Sequence, residues 1–324
     1  MKREAPEISI IIPVYNGEKT IAKCLESLAS QKTKRNYEII AVDDGSADNT
    51  KKIIKKMKKV RLMEQEHKGP AAARNLGAKS AKGDILLFTD SDCIPEKDWA
   101  EKMSVPFEKK EISGVQGSYK TKQRSLIARF CQLEIEERYE RMRSKKYIDF
   151  IGSYSAGYRK NVFLKAGGFD ESFPVASGED PELSFKLSES GHKMCFMPEA
   201  VVYHKHPDSI TKYMKQKFWR AYWRNLLYKK HPRKAASESY TPQMLKFQIV
   251  LTYLFPISVI AYMAGFGIIL PVSIAVIMLI TAIPLLLKNL KKDFSVGVAT
   301  PPIVILRAIS FSLGLIYGFF RLML

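Results

Sequence analysis

An α/β fold followed by a membrane-associated helical region is what the 324-residue sequence predicts, and three observations carry that expectation. In the first part of the chain, β-branched runs alternate with segments whose apolar residues recur at helical spacing, the pattern of a doubly wound sheet. Hydrophobic residues make up 46% of the chain, enough for a sizeable core without disulfide or metal staples. Far downstream, 41 consecutive residues from Phe247 to Leu287 carry no charge, about twice the ~20 residues needed to cross a bilayer.

The elements follow in order. Ile8-Ser9-Ile10-Ile11-Ile12 reads as a buried strand stopped by Pro13, and Glu38-Ile39-Ile40-Ala41-Val42 as a second stopped by Asp43-Asp44-Gly45-Ser46. Between them Thr20 to Gln31 is predicted helical from Ile21, Leu25 and Leu28, and after the second strand Asn49 to Lys59 from Ile53, Ile54 and Met57. Val60-Arg61-Leu62-Met63 is a weaker strand, Ala71 to Ala81 an Ala-rich helix, and Ile85-Leu86-Leu87-Phe88 a fourth strand that runs into Asp90-Ser91-Asp92. No internal repeat or low-complexity segment interrupts this order.

The net charge of +19 suits either a nucleic acid or an anionic bilayer. Its distribution decides: Ser209 to Ser237 holds nine Lys or Arg and no acid, directly ahead of the apolar tail. A membrane partner is therefore expected, and no nucleic acid. Cys24, Cys93, Cys131 and Cys195 form no C-x-x-C pair, which argues against a zinc ribbon or a disulfide framework and for reduced thiols. No apolar segment precedes the first strand, so a cytoplasmic start without a cleaved signal is expected.

The tail divides into spans at about 245–265, 267–287 and 302–322. Gly265, Gly267 and Pro271 mark the first turn, and Pro256 falls inside the first span. Arg307 makes the third crossing the least secure. The positive-inside rule puts the basic region before Phe247 and the loop with Lys288, Lys291 and Lys292 in the cytoplasm; if the third stretch crosses, the chain ends outside. The expected organisation is a catalytic domain over 1–208, a basic, aromatic interfacial helix and linker over 209–243, and a transmembrane region over 244–324. That makes a multi-pass cell-membrane protein with a cytoplasmic catalytic domain.

Chemistry is expected where the fourth strand meets solvent, because ligands of open α/β sheets gather at the carboxyl ends of strands. Asp90 and Asp92 repel each other unless a cation sits between them, and a divalent ion carrying a diphosphate would serve. Asp43 or Asp44 could accept a ring N–H of uracil or guanine, with Tyr15 packed on the base. Arg74, on the Ala-rich helix, could reach a diphosphate with paired donors. Each has a plain alternative: a solvated loop for the acid pair, a helix cap at Asp44-Gly45-Ser46, a surface arginine at 74.

Together, Pro13-Val14-Tyr15-Asn16, Val42-Asp43-Asp44-Gly45-Ser46, Gly69-Pro70-Ala71-Ala72-Ala73-Arg74-Asn75, Asp90-Ser91-Asp92 and Gly178-Glu179-Asp180 resemble family 2 glycosyltransferases of the Rossmann-like GT-A fold. The resemblance covers roughly residues 6–210 and implies an inverting transferase that uses a UDP- or GDP-linked sugar with Mn2+ or Mg2+. It implies a nucleotide-sugar site of Pro13, Val14, Tyr15, Glu18, Asp43, Asp44, Arg74, Asp90, Ser91 and Asp92, with Asp92 the direct metal ligand and Asp90 on ribose or metal. His204, after Ala200-Val201-Val202-Tyr203, is a further metal candidate, and His206 a candidate with it for holding the product phosphate. Inversion needs a carboxylate to take the acceptor proton; Asp180, ahead of a helix start at Pro181, is the candidate, with Glu179 as second.

Departures narrow the acceptor. Gln216-Lys217-Phe218-Trp219-Arg220 reverses the last pair of the Q-x-x-R-W found in processive relatives. The Gly69 to Asn75 segment lacks the G-L-G-x-A-Y typical of dolichyl-phosphate mannose synthases. Transfer of single sugars to a lipid-linked or nascent surface glycan therefore leads, transfer to a polyprenyl phosphate comes second, and a non-catalytic sugar-nucleotide binder is the reading from another class. The mix of aromatic and basic residues from Ser209 to Lys230 suits a helix at the lipid interface, the alternative being an ordinary packing helix.

Overall fold

A computed structural model describes residues 5–173, 175, 177–237 and 241–322. The elements are β1 (Ile8–Val14), α1 (Ile21–Ala29), β2 (Tyr37–Asp43), α2 (Thr50–Lys55), β3 (Val60–Glu64), α3 (Pro70–Ser80), β4 (Ile85–Thr89), β5 (Ile94–Pro95), α4 (Trp99–Ser104), β6 (Ile112–Lys120), α5 (Leu126–Arg143), β7 (Ser155–Arg159), α6 (Lys160–Lys165), α7 (Glu179–Glu189), β8 (Lys193–Tyr203), α8 (Ile210–Lys230), α9 (Pro232–Ser237), α10 (Gln243–Ala261), α11 (Ile269–Lys292) and α12 (Phe294–Leu322). They group into two compact units, one running to Lys122 with Tyr139–Lys205, the other formed by Gln123–Arg138 and the chain from His206 onward.

The first unit is built on one sheet of order β3-β2-β1-β4-β7-β6-β8-β5. β3, β2, β1 and β4 are parallel, as the alternating pattern predicts. β7 then runs antiparallel to both β4 and β6, so the sheet is mixed rather than uniformly parallel. β1 differs from expectation at its end: Pro13 is inside the strand, in register with Val42. The Val14 carbonyl accepts from Asp44 of the β2 side, so Pro13 points the other way, toward β4, whose pairing has already ended at Ile11. No ladder bond is lost there, and the proline is tolerated. Ile8, Ile10, Ile12, Leu87 and Val202 are buried in the core beside Ile21, Leu25 and Leu28 of α1.

α3 lies unusually close to the sheet because its facing residues are small. A Cβ on Gly77 would stand 2.5 Å from Ile11 Cγ2 and 3.2 Å from Val42 Cγ2. Pro70 occupies the first turn after Gly69, whose φ of +92° suits glycine. This close seat carries Arg74 under the carboxyl edge of the sheet.

In the second unit, three helical segments are long and apolar enough to cross a membrane: Gln243–Phe266, Ile269–Lys292 and Phe294–Leu322. The first turn falls at Gly265 and Gly267, with φ of +95° and +80°, whereas Pro271 lies within the start of α11. The third helix begins at Phe294 and runs through Pro301 and Pro302, earlier than the expected start at 302. Pro256 is likewise accommodated inside α10.

Candidate active site

Strand order reverses between β1 and β4, and the loops after β1, β2 and β4 meet at that switch point. The first two loops are latched to each other. Asn16, at φ +49°, accepts from Ala47 N at 2.9 Å through Oδ1 and donates its own N–H to Ser46 Oγ at 2.8 Å. Gly17 N donates to Thr50 Oγ1 at 2.8 Å, Glu18 N donates to Asp48 Oδ2 at 3.0 Å, and Glu18 Oε2 accepts from Asn49 N and Nδ2, both at 3.2 Å. Glu18, expected in the nucleotide site, is thus engaged in the latch. Pro13 and Val14 are buried in β1 and can offer only backbone and apolar wall.

The two acids after β2 have different tasks. Asp44 is consumed by the segment before α3: it accepts from Gln65 Nε2 at 2.7 Å, Lys68 N at 2.9 Å and Gly69 N at 2.9 Å, and sits 2.9 Å from His67 Nδ1. Asp43 is fully buried; Oδ2 accepts from Ser46 N at 3.1 Å, while Oδ1 is buried with no hydrogen-bond partner among the described residues. A buried carboxylate oxygen without a donor is costly, and an incoming N–H would satisfy it. Tyr15 is half exposed and stacks on His67 with ring centroids 4.1 Å apart. Neither His67 nor Gln65 stands out in the sequence, since lone polar residues in a loop carry no pattern.

Arg74 is not turned toward solvent. Its side chain is 2% exposed and bridges two carboxylates, Nη1 to Glu179 Oε1 and Nη2 to Asp90 Oδ1, each at 2.8 Å. The structure therefore places Arg74 beneath the acids, joined to one on β4's end and one on α7. Phe169 covers it, with the guanidinium 5.5 Å from the ring centroid. Asn75 fixes that ring by accepting from Phe169 N at 2.9 Å and donating to Phe169 O at 2.8 Å.

Asp90, Asp92 and Cys93 offer donor atoms that all lie within 4.8 Å of one another. Burial pushes the Asp90 carboxyl up, Arg74 opposes it, and the charges of Asp92 and Asp180 add to the rise; the net shift is upward. Burial also raises Asp92, but the contact with His204, whose Nε2 is 3.2 Å from Asp92 Oδ2, helps hold it below the ordinary aspartate range. The Cys93 thiol is buried and pushed well above its usual value, so it remains a neutral neighbour. What is left is a pair of hard carboxylate donors at one strand end, a set that fits Mg2+ or Mn2+. Ser91 lies part-buried between them, and His206 is hydrogen-bonded to Gln132 at 3.0 Å.

α7 begins at Glu179, two residues before Pro181. Glu179 is fully buried: Oε2 accepts from Ser177 N at 2.9 Å and Gly178 N at 3.1 Å, while Oε1 faces Arg74. Burial, and then the charge of Asp180, raise its pKa above the ordinary glutamate range although Arg74 pulls the other way. Asp180 Oδ2 accepts from Ser153 N at 3.0 Å and Ser153 Oγ at 3.3 Å; Oδ1 carries no hydrogen bond among the described residues. The Ser153 loop is tied down from both sides. Thr89 Oγ1 donates to Tyr154 O at 2.9 Å, and Ser184 Oγ accepts from Ile151 N at 2.9 Å and donates to Asp180 O at 2.7 Å. Asp180, Glu179, Arg74 and Asp90 interact electrostatically as one group. Ser153 is the positioning residue that sequence reasoning missed.

Residues 9–166 match glycosyl transferase family 2. Glycosyltransferase AglE of Haloferax volcanii is 29% identical over 215 residues, 63% of this chain and 68% of the relative. The pre-mycofactocin glycosyltransferase of Mycobacterium tuberculosis is 27% identical over 245 residues, 71% of this chain but 49% of the relative, so the chain spans about half that protein's length. Among solved structures, the mannosyltransferase PcManGT from Pyrobaculum calidifontis, in complex with GDP-Man and Mn2+, superposes with a TM-score of 0.63 at 20% identity, over 95% of this chain and 87% of that one. A family match over β1 to β7 and a shared fold thus meet the same switch-point site that the geometry singles out: residues 9–166 carry the glycosyl transferase family 2 match, and the α/β unit has the GT-A fold.

Proposed function

We propose that the chain moves a sugar from a UDP- or GDP-linked donor to a hydroxyl of a lipid-linked or nascent surface glycan, with inversion, at the cytoplasmic face of a membrane. The observation that carries this reading is Asp180: a carboxylate fixed through one oxygen by Ser153, with the other available, in the same electrostatic group as Asp90. An acceptor hydroxyl attacking opposite a leaving diphosphate needs a base in that position.

The other residues take roles around it. Asp43 Oδ1 accepts the ring N–H of the base, and Tyr15 packs on its face. Asp92 and Asp90 hold Mg2+ or Mn2+, which when bound neutralises charge on the departing nucleoside diphosphate. Arg74 and Glu179 set the position of Asp90 and the start of α7. The apolar helices hold the chain at a bilayer, where a lipid-linked acceptor is presented.

The test is a screen of nucleotide sugars with membrane lipid extract and Mn2+ or Mg2+, product being identified by mass spectrometry. Transfer is expected with one donor and lost in Asp92→Ala while the variant still inserts into membranes. Binding of a sugar nucleotide with neither transfer nor slow release of nucleoside diphosphate would sink the reading in favour of a binding protein.

A further inference from the structure

Asp92 and Asp180 are carried by different elements, one by the loop after β4 and the other by the first turn of α7. Each is steadied by a neighbour that leads to an aromatic ring. His204 Nε2 stands 3.2 Å from Asp92 Oδ2. Ser153, which holds Asp180 Oδ2 through its N–H and its hydroxyl, is followed directly by Tyr154. Between these two rings lies Tyr119 of β6. Its centroid is 4.9 Å from that of His204 and 3.5 Å from that of Tyr154, with interplanar angles of 30° and 14°.

A nearly parallel ring centred 3.5 Å over Tyr119 fills that face, so the His204 ring stacks on the other one. The layers Tyr154, Tyr119 and His204 therefore run from the base loop to the metal acid. The middle layer stands on a sheet strand: Tyr119 is in register with Val202 of β8, and His204 N, just past β8, donates to Lys120 O at 3.0 Å. The Tyr154 hydroxyl is 2.9 Å from the Tyr139 hydroxyl, which also accepts from Tyr119 N at 2.7 Å, and Thr89 Oγ1 donates to the Tyr154 carbonyl at 2.9 Å. Burial pushes the Tyr119 phenol well above its ordinary range, and the nearby Asp90 and Asp92 add to the rise, so it brings no further negative charge to the acid pair.

We infer that Tyr119 is a positioning residue for the transfer. One face of its ring holds His204 against Asp92, and the other holds Tyr154 and with it the Ser153 loop, so a single stack sets both the metal acid and the base. This rests on the reading above, in which Asp92 holds the ion and Asp180 takes the proton. Partners that orient a ring at a metal site change metal affinity by about 10- to 100-fold. A stacked aromatic pair is worth roughly 2- to 12-fold in an equilibrium.

The test is calorimetric titration of Mn2+ into the full detergent-solubilised chain, in the presence of UDP and, separately, of GDP. Tyr119→Leu stays apolar but loses the stack, and should weaken Mn2+ about 10-fold. Tyr119→Phe keeps the ring and should stay within about 2-fold of the native chain. The decisive variant is Tyr154→Leu, on the base side. It should weaken Mn2+ by roughly 2- to 12-fold in the native chain and leave it unchanged in the Tyr119→Leu background. Without metal, amides of the Ser153 loop should exchange faster with solvent in Tyr119→Leu while those of β1 keep their native rate.

An unchanged Mn2+ affinity in Tyr154→Leu, or an equal loss in both backgrounds, overturns the proposal. Tyr119→Phe as weak as Tyr119→Leu would give the role to the hydroxyl and overturns the stack. Faster exchange in β1 as well as in the loop would make Tyr119 a general packing residue and overturns it too. A native chain that binds no Mn2+ with either nucleotide sinks the metal reading itself, and this proposal with it.

Discussion

Arg74 donates from Nη1 to Glu179 Oε1 at 2.8 Å, an ion pair buried on both sides. Removing the cation leaves Glu179 charged in the interior beside Asp180, and a broken buried pair of this kind costs about 3–5 kcal/mol. Arg74→Ala is therefore expected to lower the thermal midpoint of the detergent-solubilised chain by several degrees. Arg74→Lys keeps the charge but has a single ammonium for two carboxylates on different elements, so it should fall between. An unchanged midpoint in Arg74→Ala would show that the pair does not hold the site together.

The same pair predicts a pH dependence. Burial and the Asp180 charge raise the Glu179 pKa in the folded chain above its ordinary value of 4.5. The folded state then binds more protons than the unfolded state in the window just above 4.5, so the contribution of this group to stability is full below that value and is lost as pH rises through the folded pKa. Glu179→Gln should flatten the decline in thermal midpoint between the ordinary glutamate range and neutrality. An identical slope in both proteins counts against the assignment.

The parallel half of the sheet was legible because a buried parallel strand is an unbroken β-branched run, as in Ile10-Ile11-Ile12, bounded by turn residues. The antiparallel insertion of β7 was not, since Ser155-Ala156-Gly157-Tyr158-Arg159 has neither alternation nor a long apolar run. At the site, motif spacing located the acids but not their partners. Nothing local in the sequence says that Arg74 turns inward to Glu179, 105 positions away, or that Glu18 is held by Asn49. For the same reason Gln216-Lys217 reads as surface charge until Lys217 is seen buried against Glu134.

Asp180→Asn separates the two acceptor chemistries. With a hydroxyl acceptor, loss of the base should lower kcat by roughly 10²–10⁴-fold. Donor affinity should hold, because Ser153 can donate equally well to the amide oxygen that the substitution leaves in place of Oδ2. A phosphate acceptor is already ionised and needs no base, so near-normal turnover would point to a polyprenyl phosphate.

Asp43→Asn probes the base pocket. Oδ2 serves the β2–α2 turn through Ser46 N, and an amide oxygen can keep that bond. Oδ1 would then become an amide N–H₂ facing a donor on the base, losing one hydrogen bond and adding a donor–donor contact. At about 1–3 kcal/mol, nucleoside diphosphate affinity should fall roughly 5- to 150-fold by calorimetry, with little change in stability. Unchanged affinity would remove Asp43 from the site.

Gly168 and Asn75 should be coupled. Gly168 has φ +72°, and a Cβ there would collide with Asn75 Oδ1, the atom that accepts from Phe169 N. Gly168→Ala therefore carries a backbone cost of about 1–2 kcal/mol plus displacement of Asn75, which in turn loosens Phe169 over Arg74. Asn75→Ala loses both bonds to Phe169 but vacates the space the new methyl needs. In the Asn75→Ala background, Gly168→Ala should then cost at least about 0.5 kcal/mol less than in the native chain, read as thermal midpoints across the four proteins. Strict additivity would mean that the φ constraint alone explains the glycine, and that Asn75 is not what fixes the approach of this loop to the site.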